Sequence, residues 1–147
     1  MSVAGNVILD GMDTRRVENV GPVPEGVAEI FLLHIYSHYS YYHHNVFRAR
    51  VRRLRDSVSR ILATRPAATV IIKGPSTLSK RKDFGIVDYF AKVYRQALYE
   101  EFADLHDRVL FLENADMTSS RAEPNIHVPE DLVRQMVNHM LMYVCDT

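Results

Sequence analysis

The sequence predicts an α/β fold in which a parallel sheet is covered by helices. Three short, nearly continuous apolar runs, each typical of a strand buried on both faces, alternate with longer segments whose apolar residues have helical spacing. Strands and helices that alternate in this way form parallel sheets with right-handed crossovers. The 147 residues, of which 47% are hydrophobic and 24% charged, have the size and composition of one globular domain.

The first 26 residues are expected to form a loop-rich segment, because glycines and prolines punctuate them, and residues 27–147 are expected to form the domain. A short apolar run at Val7–Leu9 is the candidate strand of the first segment. The predicted strands of the domain are Ile30–Ile35, Thr69–Ile72 and Val109–Leu112. Three strands are few for this fold class, so we expect a further strand to come from the N-terminal segment or to be absent from the chain.

The helices are predicted from the spacing of their apolar residues and from their end signals. The first helix has an apolar face with spacings of four and three and ends before Pro66. The second is expected over about residues 83–105, and the last begins near Pro129, which suits a first helical turn. The apolar face of the first helix comprises Phe47, Val51, Leu54, Val58 and Ile61. The core face predicted for the last helix comprises Val133, Met136, Val137, Met140, Leu141 and Val144.

A ligand of such a sheet is expected at the carboxyl ends of its strands, where three loops meet. The loops cover residues 36–45, residues 73–82 and a long polar stretch over residues 113–128. In the second loop, Ser76 or Thr77 can contact a ligand. No serine of the chain lies in a Gly-x-Ser-x-Gly or Gly-Asp-Ser motif, so a nucleophile is not evident.

The first of these loops is rich in aromatic and imidazole side chains. They are His34, Tyr36, His38, Tyr39, Tyr41, Tyr42, His43 and His44. Three interpretations stay open: plain packing of the loop, a wall that binds a polar ligand such as a sugar, and a zinc site formed by the imidazoles. The stretch contains no cysteine or aspartate, which disfavours the zinc site.

The third loop contains His127, directly before the last helix. A histidine on a loop at this edge, oriented by a carboxylate or an amide, is how hydrolases hold a general base. The simpler interpretation is that His127 packs against the start of the helix. The spacing alone favours the simpler one.

Charge and hydropathy exclude several function classes. The 18 basic and 18 acidic residues cancel, so no net charge directs the chain to nucleic acid or to an acidic membrane. The arginine-rich first helix could follow phosphates, but arginines opposite an apolar face are typical of a solvated surface. No apolar run reaches the roughly 18 residues of a membrane span, and no signal peptide is visible. We therefore expect no nucleic-acid partner, no membrane span in this chain and no cofactor.

Most of the chain resembles the C-terminal end of the NXPE family, the neurexophilin and PC-esterase domain proteins. The likeness rests on motifs in the order and near the spacing of the family. They are Asp116-Met117-Thr118, Asn125-Ile126-His127, the stretch Gln135 to Asn138, and Tyr143-Val144-Cys145. The strand–loop–helix–strand run upstream matches as well, so the resemblance covers roughly residues 27–145.

The resemblance implies a three-layer, flavodoxin-like fold similar to the SGNH/GDSL hydrolases, which hydrolyse or transfer acyl groups on carbohydrate hydroxyls. It also implies a secretory-pathway or extracellular protein that acts on a glycan or glycoprotein. In that family a Gly-Asp-Ser serine works with an Asp–His pair, so by resemblance His127 is the general base and Asp116 or Asn125 orients it. The residues expected to bind substrate are His38, Tyr39, Tyr41, Tyr42 and Ser76.

The chain departs from the family pattern at three places. It contains no Gly-Asp-Ser, Pro124 stands where the superfamily has an aspartate, and Pro129 comes one residue later than the family's proline. We therefore expect the C-terminal part of a carbohydrate O-acyl esterase or acyltransferase, inactive as it stands, which is either a fragment or a natural short relative. The odd cysteine, Cys145, favours a fragment, because it suggests a disulfide partner elsewhere.

The alternative is a non-catalytic glycan-binding or protein-interaction module that keeps the loops facing the glycan. In either case a missing strand would leave an exposed sheet edge, through which two copies of the chain could dimerise.

Overall fold

The computed structural model describes residues 2–4, 9–10, 21, 24–36, 42–77, 85–121 and 127–145. Its strands are β1 (Ser2–Ala4), β2 (Leu9–Asp10), β3 (Val27–His34), β4 (Thr69–Lys73) and β5 (Val109–Leu112). Its helices are α1 (His44–Thr64), α2 (Gly85–Glu101), α3 (Ala115–Arg121) and α4 (Glu130–Cys145). A short 3₁₀ helix, Ala103–Leu105, follows α2.

The sheet is parallel, which confirms the predicted fold class. Strands β3, β4 and β5 are neighbours in chain order, with Leu33 paired to Ile72 and Lys73 paired to Leu112. Both β1 and β2 pair in parallel with β3, so residues near the N-terminus contribute to the sheet. Of the run Val7–Leu9, only Leu9 is among the described residues, and it lies in β2. Because the strands are parallel, their carboxyl ends meet at one edge.

Helices α1 and α2 cover the same face of the sheet, because successive right-handed crossovers between neighbouring strands place their helices on one side. The predicted apolar face of α1 is confirmed, since all five of its residues are buried. At the centre of this face the rings of Phe47 and Tyr94 stack with centroids 4.2 Å apart, and both are completely buried. We call this the α1/α2 face.

The outer surface of these two helices is joined by ion pairs. Arg48 of α1 pairs with Glu100 and Glu101 of α2, and Arg55 pairs with Asp104 in the 3₁₀ helix. These arginines therefore bind carboxylates of the neighbouring helical segment.

Helix α4 packs on the opposite face, which we call the α4 face. Its buried core is small and consists of Ile30, Ile71, Leu112 and Val144. The predicted core face of α4 is partly wrong: Val133 and Val137 are each 42% exposed, whereas Leu132 is buried. The buried stripe of Leu132, Met136 and Val144, with Met140 half-buried, follows four-residue spacing. Because apolar residues also occupy the adjacent positions, the periodicity did not distinguish the two stripes.

The segment between β5 and α4 was predicted as a loop and contains α3 instead. The first turn closes where the amide of Thr118 donates to the carbonyl of Asn114 at 3.2 Å. Asp116 in the first turn and Arg121 in the last complement the helix dipole. Thr118, Ser119 and Ser120 are weak helix formers, which conceals the helix in the sequence.

Helix α2 is shorter than predicted at its C-terminus. It ends at Glu101, and the 3₁₀ helix then occupies the remaining residues to Leu105. The predicted start at residues 83–84 lies outside the described residues. Across the part of the chain that the structure describes, no helix combines the length and apolar character that crossing a membrane requires.

Candidate functional site

A cleft of about 410 Å³ opens at the carboxyl edge of the sheet, on the side of the α1/α2 face. It lies between the loop after β4, the first half of α2 and the start of α3. Its polar lining consists of Thr77, Asp88, Lys92, Arg95, Asp116 and Ser119. Hydroxyl groups and charges of both signs line it, so the cleft offers both hydrogen-bond donors and acceptors to a polar ligand.

Thr77 ties the loop after β4 to helix α3. Its backbone amide donates to the hydroxyl of Thr118 at 2.9 Å, and the two hydroxyls also lie 2.9 Å apart. The Thr77 hydroxyl donates to the carbonyl of Ala115 at 3.3 Å. Since Thr118 is buried, these bonds hold one wall of the cleft in a fixed position.

Gly74, the first residue after β4, lies against the side chain of Glu113 and makes room for it because glycine has no Cβ. A Cβ at Gly74 would lie 3.0 Å from Oε1 of Glu113, closer than ordinary packing permits. The amide of Gly74 donates to the carbonyl of Leu112 at 3.0 Å, which extends the sheet pairing by one bond. Glu113 itself turns toward α2, where its Oε2 lies 3.6 Å from Nη1 of Arg95.

Lys73 is the last residue of β4 and is half-buried at this edge. Its Nζ donates to Oγ of Ser76 at 3.2 Å. Burial lowers the pKa of the Lys73 ammonium below its ordinary value, because removal from water penalises the charged form. Among the described residues no carboxylate forms an ion pair with Lys73.

Asn114 is completely buried where β5 gives way to α3. Neither the nitrogen nor the oxygen of its side-chain amide has a hydrogen-bond partner among the described residues. A buried polar group without a partner costs about 1–3 kcal/mol. A polar group that reached Asn114 would therefore be bound favourably.

Comparison with known protein families gives one match that covers most of the chain. The model of the NXPE family member 4-like C-terminal domain matches residues 13–145. The chain belongs to the NXPE family. This domain family is related to the PC-esterase-like proteins, and membership in it suggests a secreted or secretory-pathway protein. No solved structure matches the chain.

The structure describes two of the three residues expected to be catalytic in an NXPE domain. Asp116 is exposed in the first turn of α3 and lines the cleft. His127 is exposed in the bend before α4. No hydrogen bond joins His127 to Asp116 or to any other described residue, and Asn125 lies outside the described part of the chain. The structure therefore places Asp116 in the cleft and does not connect it to His127.

The residues expected to bind substrate are described in part. His38, Tyr39 and Tyr41 lie outside the described residues. Tyr42 is 54% exposed beside the start of α1, and its carbonyl accepts a hydrogen bond from the hydroxyl of Tyr94. Ser76 is half-buried and bonded to Lys73.

The histidines proposed as zinc ligands have other surroundings where they are described. Nδ1 of His43 accepts from the amide of Asn45 at 3.2 Å and so caps α1. The ring of His44 lies against that of His43, with centroids 4.3 Å apart. His34 ends β3, and His38 lies outside the described residues. Where the structure describes the chain, no three His, Cys, Asp or Glu residues are grouped to hold a metal ion.

Sequence reasoning missed most of the cleft. Lys92 and Arg95 were not singled out, because exposed charges on a helix usually indicate a solvated face. Lys73 and Asn114 carry no motif, and their unusual burial depends on the packing around them. The one available signal was that Lys73 directly follows a predicted strand and that Asn114 comes two residues after another.

Proposed function

We propose that this NXPE domain forms part of a site that hydrolyses or transfers O-acyl groups, such as acetyl groups, on hydroxyls of cell-surface glycans. The observation that carries the proposal is the polar cleft at the carboxyl edge of the parallel sheet in a domain related to PC-esterase-like proteins. Ligands of open parallel sheets bind at this edge.

In the proposed reaction His127 acts as the general base. It removes the proton from a serine hydroxyl as the serine oxygen attacks the acyl carbon. The bond between the acyl carbon and the sugar oxygen then breaks. The proton passes from His127 to the departing sugar oxygen. Water or a second sugar hydroxyl, deprotonated by His127, then attacks the acyl carbon. The bond between that carbon and the serine oxygen breaks, and His127 returns the proton to the serine oxygen. The family's nucleophile lies in Gly-Asp-Ser, a motif that this sequence does not contain.

The remaining expected residues have supporting roles in the proposal. Asp116 or Asn125 holds the imidazole of His127 in the required tautomer and stabilises its charged form. The rings of Tyr39, Tyr41 and Tyr42, with His38, form the wall on which the sugar lies. Ser76 contacts the substrate from the loop after β4.

The test is binding of O-acetylated glycans to the purified chain. Isothermal titration against acetylated and matched unacetylated oligosaccharides should show binding that prefers the acetylated form. Tyr42→Ala should weaken this binding, whereas Tyr89→Ala, which removes an exposed tyrosine from α2, should not. Absence of binding to any acetylated or unacetylated glycan would contradict the proposal.

A second candidate is a glycan-binding module without catalysis. It is favoured by the exposed position of His127, which has no hydrogen bond to a described carboxylate. Release of acetate from a bound glycan, measured in a longer NXPE protein that contains both this domain and the Gly-Asp-Ser serine, separates the two candidates. Release that is lost in His127→Ala supports acyl chemistry, whereas binding without release in the wild-type protein supports the module.

We also propose that two copies of the chain can pair through β5. Among the described residues this strand pairs only with β4, so its other edge offers backbone groups to a second strand. Sedimentation equilibrium should detect a dimer, and a monomer at all concentrations tested would contradict this proposal.

A further inference from the structure

The pair formed by Lys73 and Ser76 offers chemistry that the proposed function does not use. We infer that Ser76 is itself a nucleophile, with Lys73 as its base, so that this chain takes an acyl group from an ester onto Ser76. The inference goes beyond the proposed function, because it assigns a nucleophile within the chain and requires no glycan.

The first argument is the placement of Lys73. It follows Ile71 by two residues, so its side chain lies on the same side of the sheet, the α4 face. It ends β4, which lies between β3 and β5. Its single hydrogen-bond partner among the described residues is Oγ of Ser76, at 3.2 Å. The distance lies at the long end of the range for a base and its nucleophile before substrate binds.

The second argument is the charge around Lys73. His34 lies one residue beyond the Leu33–Ile72 pair, beside Lys73 on the neighbouring strand, and an imidazole supplies no negative charge to pair with an ammonium. Leu112, the partner of Lys73 on β5, is apolar. Glu113 points to the other side of the sheet and pairs with Arg95. Among the side chains that the structure describes, no carboxylate forms an ion pair that would hold the Lys73 amine in its protonated form.

The chemistry follows from this environment. Because burial lowers the pKa of Lys73, a larger fraction of the amine is neutral near neutral pH than for an exposed lysine. A neutral amine has a lone pair that accepts the proton of a hydroxyl group. Buried lysines act as general bases for this reason, and serine–lysine pairs are a known variant of the serine–histidine arrangement.

Ser76 lies on the loop that borders the cleft, although its own side chain bonds to Lys73 and does not line the cleft. It lies between Pro75 and Thr77, both of which line that cleft. Thr77 is fixed through its bonds to Thr118, so the backbone on the C-terminal side of Ser76 is anchored to α3. A nucleophile on an anchored loop can meet a bound ester in a defined geometry.

The proposed step is balanced within the pair and the ester. The Ser76 oxygen bonds to the acyl carbon while its proton moves to Nζ of Lys73. The bond between the acyl carbon and the alcohol oxygen breaks, and Lys73 returns the proton to that oxygen. Water, deprotonated by Lys73, then attacks the acyl carbon. The bond between that carbon and the Ser76 oxygen breaks, and Lys73 returns the proton to the Ser76 oxygen.

The experiment uses the full chain and p-nitrophenyl acetate. We expect an initial release of about one p-nitrophenolate per chain, and peptide mass spectrometry should locate the acetyl group on Ser76. Ser76→Ala should abolish this acetylation, and Lys73→Met, which keeps the side-chain volume, should slow it by about 10²–10⁴-fold. Ser120→Ala, which alters an exposed serine outside the cleft lining, should leave it unchanged.

Three results would overturn the inference: a wild-type chain that is not acetylated at Ser76, an equal rate in Lys73→Met, or an equal release from Ser76→Ala. Circular dichroism of each variant checks that it is folded. If the wild-type chain is acetylated at Ser76 but binds no glycan, only the proposed function is contradicted. If it binds a glycan but is not acetylated at Ser76, only this inference is contradicted.

Discussion

The two faces of the sheet are built very differently. The α1/α2 face is closed by two long helices, a stack of aromatic rings around Tyr94 and ion pairs along its outer surface. The buried cluster of the α4 face has only three strand residues and Val144 of the one helix that covers it, and two apolar residues of that helix, Val133 and Val137, are partly exposed. Most of the stability of the described fold therefore comes from the α1/α2 face.

Removing an aromatic ring from the larger core, on the α1/α2 face, should cause the largest loss of stability. Phe47→Ala should lower the free energy of unfolding by about 4 kcal/mol, because it opens a cavity beneath the completely buried ring of Tyr94. Urea unfolding followed by circular dichroism measures the loss. The neighbouring change Val46→Ala, at a 43% exposed position, should alter stability by less than about 0.5 kcal/mol. Equal effects of the two changes would contradict the account of this core.

A matched pair of substitutions on β4 measures how much each of the two cores contributes to stability. Ile71 and Ile72 are adjacent and both at most 1% exposed, but Ile72 faces α1 and α2 whereas Ile71 faces α4. We expect Ile72→Ala to cost about 3 kcal/mol and Ile71→Ala about 2 kcal/mol, because the smaller α4 core can relax into the space left behind. A larger loss for Ile71→Ala would show that the α4 face is the tighter one.

The third prediction concerns Lys73, which burial destabilises in its charged form. Since its pKa in the folded state lies below that in the unfolded chain, the unfolded state binds more protons between these two values, and stability rises with pH across that window. At neutral pH Lys73→Met should therefore be at least as stable as the wild type. The difference in stability between Lys73→Met and the wild type should shrink as the pH approaches the ordinary pKa of lysine.

Urea unfolding of both proteins at pH 7 and near pH 10 measures this difference between them. Comparing the two proteins at each pH cancels the titration of the other groups. An advantage of Lys73→Met that grew with pH would contradict the sign of the effect.

The sequence predicted the fold well where the apolar pattern was unambiguous. The three main strands and the buried face of α1 follow from continuous apolar runs and from spacings of four and three. Helix α3 was missed because its serines and threonines have weak helical preference, and the buried stripe of α4 was misplaced because apolar residues flank it. Both features depend on tertiary packing.

The candidate site could be predicted only at the level of its position. The carboxyl edge follows from the parallel sheet, and the family motifs lead to Asp116, which lines the cleft. The burial of Lys73 and Asn114 depends on how α3 and the neighbouring strands pack, which no local pattern records. The roles of His38 and Asn125 remain predictions, since both lie outside the described residues.

The most direct test of the account asks where a glycan binds. Amide chemical shifts of the chain, recorded by NMR during titration with an O-acetylated oligosaccharide, locate the contact without assuming catalysis. The account predicts that the largest changes occur at the carboxyl edge, at Thr77, Asp116 and Ser119. Changes confined to the partly exposed surface of α4 around Val133 and Val137, or no changes at all, would contradict it.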